Sequence, residues 1–175
     1  MKFKNLFAAL AMLLLVSCNT DNPENYFDKT TLVTNQTVPF DGNFINKMQQ
    51  DKNLGRLQII ENNEVKNTES AVEYLQKYII PEMQKSIDKV EALKVTDDTK
   101  GMIESSLDLL KYAKTVKETD YVNIAKMMDE GKPQAEIDAT ANAILEKTTP
   151  VIEEKYNKLL EHALPYAEKN GIEVK

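Results

Sequence analysis

Cysteine and histidine, the side chains most often recruited for nucleophilic, redox and metal chemistry, occur once each in this 175-residue chain. They are Cys18, closing "LLLVSC", and His162, in "LLEHALPY". A lone imidazole can ligate a haem iron opposite a methionine, and Met48, Met83, Met102, Met127 and Met128 are formal partners for it. The sequence lacks a Cys-x-x-Cys-His for covalent haem attachment, and methionine commonly fills gaps in cores. His162 therefore reads first as a residue at the core boundary, with a haem or metal carrier as the alternative function. Diiron bundles require Glu-x-x-His, whereas the residue three before His162 is Leu159. No His–Cys cluster suits zinc, and the five glycines stand singly, outside any phosphate-cradling loop.

Carboxylate pairs such as Asp97–Asp98 and Glu153–Glu154 are the other chemical resource. Paired acids catalyse when a cleft pushes their pKa values apart. Neighbours on a helix point about 100° apart and do not share a site. In a chain with 29% charged residues these pairs read as solvated helix faces. No cofactor is expected and the chain reads as a non-enzyme. Tyr74, Tyr78, Tyr112, Tyr121, Tyr156 and Tyr166 all fall on expected helices. Tyrosine suits positions with one apolar side and one wet tip and is favoured in binding surfaces. Tyr78, Pro81, Pro150 and Tyr156 are the candidate lining of a groove between kinked helices, able to hold a peptide or small apolar ligand. The competing reading places these tyrosines at the core boundary.

Cys18 has a different context. Met1 to Lys4 form a positive head, and the eleven residues Leu6 to Val16 are all apolar. A membrane-spanning helix needs about 20 such residues. A basic head with a short apolar run is the pattern of an export signal that is removed. At its end, Leu15-Val16-Ser17-Cys18 resembles the lipobox of bacterial lipoproteins. That resemblance implies cleavage before Cys18, acylation of its thiol with palmitate-type chains, and anchoring in the cell envelope. The outer membrane, on its periplasmic or surface face, is the expected location. One acyl chain binds a membrane reversibly and stable anchoring takes two signals; the resemblance implies several chains on this one cysteine. With Cys18 consumed, no thiol is left for a disulfide or a nucleophile.

These readings divide the chain into a signal peptide (1–17), a lipidated tether (18–25) and a helical domain (26–175). Asp21 and Glu24 in the tether resemble the acidic export patterns of Bacteroidota lipoproteins, and the whole chain resembles small helical lipoproteins of that group. "NPENYFDKTTLVTNQ" is similar to the opening of a class of surface lipoproteins, without carrying any site residue. Setting aside Lys2 and Lys4 of the leader takes the formal charge from −6 to −8. Such acidity offers no broad footprint for nucleic acid and repels anionic headgroups. The expected partners are the membrane, through lipid on Cys18, and an envelope protein or small ligand.

The elements that must position these residues follow from apolar spacing. The expected architecture is all-α: an up-and-down antiparallel bundle of about four helices, the first one broken. "PFDG" punctuates the first helix, and "NFINKMQQDKNL" reads as helical up to Gly55. "RLQIIENNEVKN" reads as an irregular crossover, with a short β-hairpin as the alternative. Ser70 with Glu73 forms a capping-box signature. Val72, Leu75, Ile79, Met83, Ile87, Val90 and Leu93 then share one face of a helix over about 69–95. Thr96, followed by Asp97 and Asp98, is the expected cap of the next helix. Its stripe is Ile103, Leu107, Leu110 and Ala113, resumed by Tyr121, Ile124 and Met128, with a bend or break near Thr119. Gly131 and Pro133 supply a stop and a restart. The last helix, about 134–169, ends at Gly171, and kinks are expected at Pro81 and Pro150.

Overall fold

The computed structural model describes residues 22–37 and 42–174. The leader, Cys18, most of the tether and the Pro39–Asp41 part of the expected turn lie outside the described residues. Among the described residues, five helices and one hairpin form the domain. α1 is Pro23–Thr37 and α2 is Gly42–Asn53. β1 (Gln58–Glu61) pairs antiparallel with β2 (Glu64–Asn67). α3, over 71–91, joins Ala71–Tyr74 to Ile80–Glu91 through a π-helical turn at Leu75–Ile79. α4, over 100–129, joins Lys100–Val116 to Val122–Asp129 through a second π-turn at Lys117–Tyr121. α5 is Gln134–Lys169.

α1, α3, α4 and α5 alternate in direction, giving the expected up-and-down bundle with the broken helix α1/α2 as its first member. Ion pairs record the antiparallel registers: Lys155 to Asp108 at 2.7 Å and Lys169 to Asp98 at 2.6 Å between α5 and the α4 side, and Lys111 to Glu91 at 2.7 Å between α4 and α3. One end of the bundle holds the start of α1, the α3–α4 connection and the C-terminus, with the Tyr26 hydroxyl donating to the Lys94 carbonyl at 3.0 Å. The other end holds α2, the hairpin and the α4–α5 turn.

The expected stripes form the core. Leu75, Ile87, Val90, Leu110, Ala113, Tyr121, Ile124, Ile137, Leu159 and Ala163 are all buried. α1 is rich in β-branched threonines that disfavour helix by competing for backbone. Here Thr30 and Thr31 donate back to the Tyr26 and Phe27 carbonyls at 2.8 and 2.6 Å, which lets them be buried as helix. Ser106 of α4 donates to the Thr30 carbonyl at 2.9 Å and ties the two helices together. α1 also takes in residues 23–25, assigned above to the tether. Pro23 suits the first helical position, and Asn22 caps it through Oδ1, accepting from Asn25 N at 2.7 Å.

Two expectations are corrected, the crossover and the cap of α4, and two others gain detail. The crossover after Gly55 is ordered as the β-hairpin that was its alternative, because Asn62 and Asn63 adopt φ of 54° and 62°. Positive φ at both central residues is what a type I′ turn requires. Near Thr119, where a bend or break is expected, the helix is continuous and a π-turn, a form that bends helices, takes up the interruption. There Lys117, 4% exposed, places its Nζ 3.6 Å from the Phe44 ring centroid and 4.1 Å from that of Tyr121, fastening α2 to α4 by cation–π contact. Thr96 is not the cap residue of α4, which starts at Lys100 after Thr99. Instead the Thr96 carbonyl accepts from Lys100 N at 2.9 Å and its hydroxyl pairs with that of Thr99, so Asp97 and Asp98 lie in the preceding turn. Finally, α5 is helical through Pro150 and Pro165, which is compatible with the kink expected at Pro150. Pro150 and Glu146 are both exposed, so water can serve the carbonyl that the proline leaves without a donor. At Pro81 the preceding π-turn carries the adjustment, with Ile80 N bonded to the Leu75 carbonyl.

The helix stops behave as read. Gly131 (φ 68°) closes α4 with Lys132 N donating to the Met127 carbonyl at 3.0 Å, and Gly171 (φ 67°) closes α5 in the same manner.

Candidate functional site

The site is built where the hairpin leans on the first π-turn. Thr68 follows β2 and Ser70 begins α3, its Oγ accepting from Glu73 N at 3.1 Å. The return arm of the expected capping box is rerouted: Glu73 accepts from the Thr68 hydroxyl at 2.7 Å, which itself accepts from Ser70 N at 3.1 Å. This relay sets the angle between hairpin and helix. The π-turn that follows has more residues per turn than an α-helix, and Tyr74 and Tyr78 come together with ring centroids 5.8 Å apart, tilted by 32°.

A cleft of about 330 Å³ opens between them and the sheet, lined by Asp51, Arg56, Ile59, Ile60, Val65, Tyr74 and Tyr78, together with Gln58. Ile60 and Val65 are direct cross-strand partners. They are 40% and 65% exposed, and Leu54 at the end of α2 is 57% exposed. On the rim Arg56 pairs with Asp51 at 3.2 Å and Lys47 with Asp51 at 2.7 Å. The Lys47 hydrogen bond, with burial opposing and the Lys47 and Arg56 charges assisting, holds the Asp51 carboxyl below its usual value. Burial, with Tyr78 and Asp51 adding to it, pushes the Tyr74 phenol up, so it stays neutral. An apolar floor, two phenols and an Asp51 carboxylate held by Lys47 and Arg56 at the rim suit retention of an apolar or aromatic group.

Of the four residues proposed for a groove, only Tyr78 lines this cleft. Pro81 sits on α3 next to the π-turn and is half-buried, while Pro150 and Tyr156 lie on α5, exposed and half-buried respectively. α4 packs against both helices, and the structure does not bring the two pairs into one described cavity. The groove is corrected to a cleft between Tyr74, Tyr78 and the hairpin.

His162 is exposed on α5, with its ring against the backbone of Gly101 in α4. It borders a cleft of about 500 Å³ shared with Asp97, Asp98, Glu104, Asp108 and Lys158. Lys100 also lines it, and Asp98 and Asp108 are paired with Lys169 and Lys155; among the described residues no three His, Cys, Asp or Glu side chains are grouped to hold a metal ion. Met48, Met83, Met102 and Met128 are buried core residues and Met127 packs against that core. Asp97–Asp98 and Glu153–Glu154 are exposed.

Ile60, Val65, Arg56 and Asp51 escaped notice in the sequence. For Ile60 and Val65 the signal is "QIIENNEV", which places apolar β-formers on both sides of Asn-Asn, a hairpin pattern; Asp51 and Arg56 join them only through the fold. No protein-family model, curated protein or solved structure matches this chain. No helix among the described residues is long and apolar enough to cross a membrane.

Proposed function

We propose that this chain is a lipid-anchored binding module of the bacterial cell envelope, held by acyl chains on Cys18 and receiving an apolar group of a partner protein or small ligand in the Tyr74–Tyr78 cleft. The observation that carries the reading is the exposed Ile60–Val65 pair beside two tyrosines. Aliphatic side chains presented in a cluster to water mark contact surfaces. Tyrosine provides contact area at small entropic loss, with a hydroxyl for orientation. The resemblance of Leu15-Val16-Ser17-Cys18 to a lipobox supports the anchor.

Two measurements test the two halves. Metabolic labelling with a palmitate analogue is expected to mark the wild-type protein and not Cys18→Ala, which should leave the membrane fraction. A stoichiometric envelope partner recovered with the intact protein should be lost with Tyr78→Ala and with Val65→Asp while thermal stability is retained. Unchanged recovery with both variants removes the cleft from the proposal.

A further inference from the structure

Seven large hydrophobic side chains are markedly exposed among the described residues: Leu32, Leu54, Ile60, Val65, Val95, Leu164 and Val174. Their placement along the bundle is uneven. Leu54, Ile60 and Val65 belong to the hairpin end described above. Of the other four, Val95 and Val174 lie at the opposite end. Val95 is in the α3–α4 connection, one residue from the Lys94 carbonyl that holds Tyr26, and Val174 follows the close of α5. Leu32 and Leu164 lie on α1 and α5, within about 15 Å of that end at roughly 1.5 Å per residue. The long middle stretches of α3, α4 and α5 expose none.

The same end is where the chain enters. Asn22, Pro23 and Glu24 share a cleft with Asn170, Gly171 and Ile172. From Cys18 to Asn22 there are four residues, and an extended chain covers about 3.3–3.6 Å for each. A lipid on Cys18 would therefore keep Asn22 within about 14 Å of the bilayer surface, although α4 alone spans roughly 45 Å.

We infer that the Val95–Val174 end of the bundle rests on the lipid bilayer that takes the Cys18 acyl chains, so that the domain stands end-on and carries the Tyr74–Tyr78 cleft outward. The inference rests on the anchor reading above. The occupant of this end is lipid because the leash brings no other surface so close and holds it there continuously. The few aliphatic side chains here would bind a vesicle weakly from solution; tethering makes the contact intramolecular and raises the effective concentration enough for weak contacts to persist. Lys94, Lys100 and Lys169 at this end are mixed with Glu24, Asp97, Asp98 and Glu173, so the contact should not require anionic lipid.

The test uses full-length acylated protein in phosphatidylcholine proteoliposomes. Val174→Cys and Val65→Cys each supply one new thiol for a bimane label, and headgroup spin-labelled lipid serves as quencher. The label at 174 is expected to be quenched severalfold more strongly than that at 65. Equal quenching at both positions, or none at 174, overturns end-on seating. The unsubstituted protein separates this failure from failure of the anchor. If its Cys18 reacts with maleimide and it does not float with the vesicles, the anchor reading itself is wrong. If Cys18 is blocked and the protein floats but 174 is unquenched, only the orientation is wrong.

Discussion

The Asp129 carboxylate, at the last residue of α4, accepts the Ser70 hydroxyl at 2.7 Å and so caps the first turn of a helix that begins 58 residues earlier in the chain. It also accepts from Ala71 N at 2.8 Å and Val72 N at 3.2 Å, and it pairs with Lys52 of α2 at 2.9 Å. One carboxylate thus satisfies two amides left open at a helix start and joins α2, α3 and α4 at the hairpin end. Loss of a capping side chain costs about 0.5–2 kcal/mol. Asp129→Ala is expected to fall at the upper part of that range because Lys52 loses its partner too, as read by urea unfolding.

The same contact makes a pH prediction. Burial opposes ionisation of Asp129, but hydrogen bonds from Ser70, Lys52, Ala71 and Val72 outweigh it and hold its pKa below the usual value. The unfolded chain therefore takes up this proton at higher pH than the folded one, so stability rises with pH across that interval. The contribution is complete above the ordinary aspartate value of about 4 and is lost as pH falls through the lower native value. Asp129→Asn should be less stable than wild type at pH 7, with the gap closing on acidification. A gap independent of pH would count against the ionised cap.

Gly101 and His162 form a second pair across helices. A Cβ at position 101 would stand 2.6 Å from Nδ1 and 2.7 Å from Cε1 of His162. Alanine within a helix is favoured over glycine by about 0.5–1 kcal/mol. Gly101→Ala alone should forfeit that gain, because the ring must be displaced. In a His162→Ala background it should recover it. The measurement is a double-mutant cycle, in which additive effects would refute the packing.

The hairpin turn depends on two residues with positive φ. Asn63→Gly should leave the hairpin intact, since glycine is at home there. Asn63→Val should open it, because a β-branched side chain resists that conformation. Hydrogen exchange of the Glu61–Glu64 amides would report the difference while the α4 and α5 amides stay protected.

Leu159 is fully buried in α5. Leu159→Ala is expected to cost about 2–5 kcal/mol through the lost transfer energy and the residual cavity. Tyr78→Ala, at a half-buried position, should cost distinctly less, which is what makes it usable as a binding variant.

The amphipathic periodicity determined which helices exist and which faces they bury. Residues from Leu75 to Val90 and from Ile137 to Ala163 recur at three- and four-residue steps, and such steps leave one way to hide the apolar stripe. Gly131, Pro133 and Gly171 set the stops for equally local reasons. The sequence also determined the candidate anchor at Cys18, a chemical matter of order and residue type. Tertiary structure alone decided the site. Tyr78 meets Tyr74, Ile60 and Val65 only because a π-turn, a type I′ hairpin and the Thr68 relay come together in space. The notional partners Pro150 and Tyr156 share its residue types but lie on a different helix. Periodicity describes one element at a time, whereas a cleft between elements depends on the angle at which they meet; here the Thr68–Glu73 relay sets that angle, and Asp129, distant in sequence, holds the start of α3 to α2 and α4.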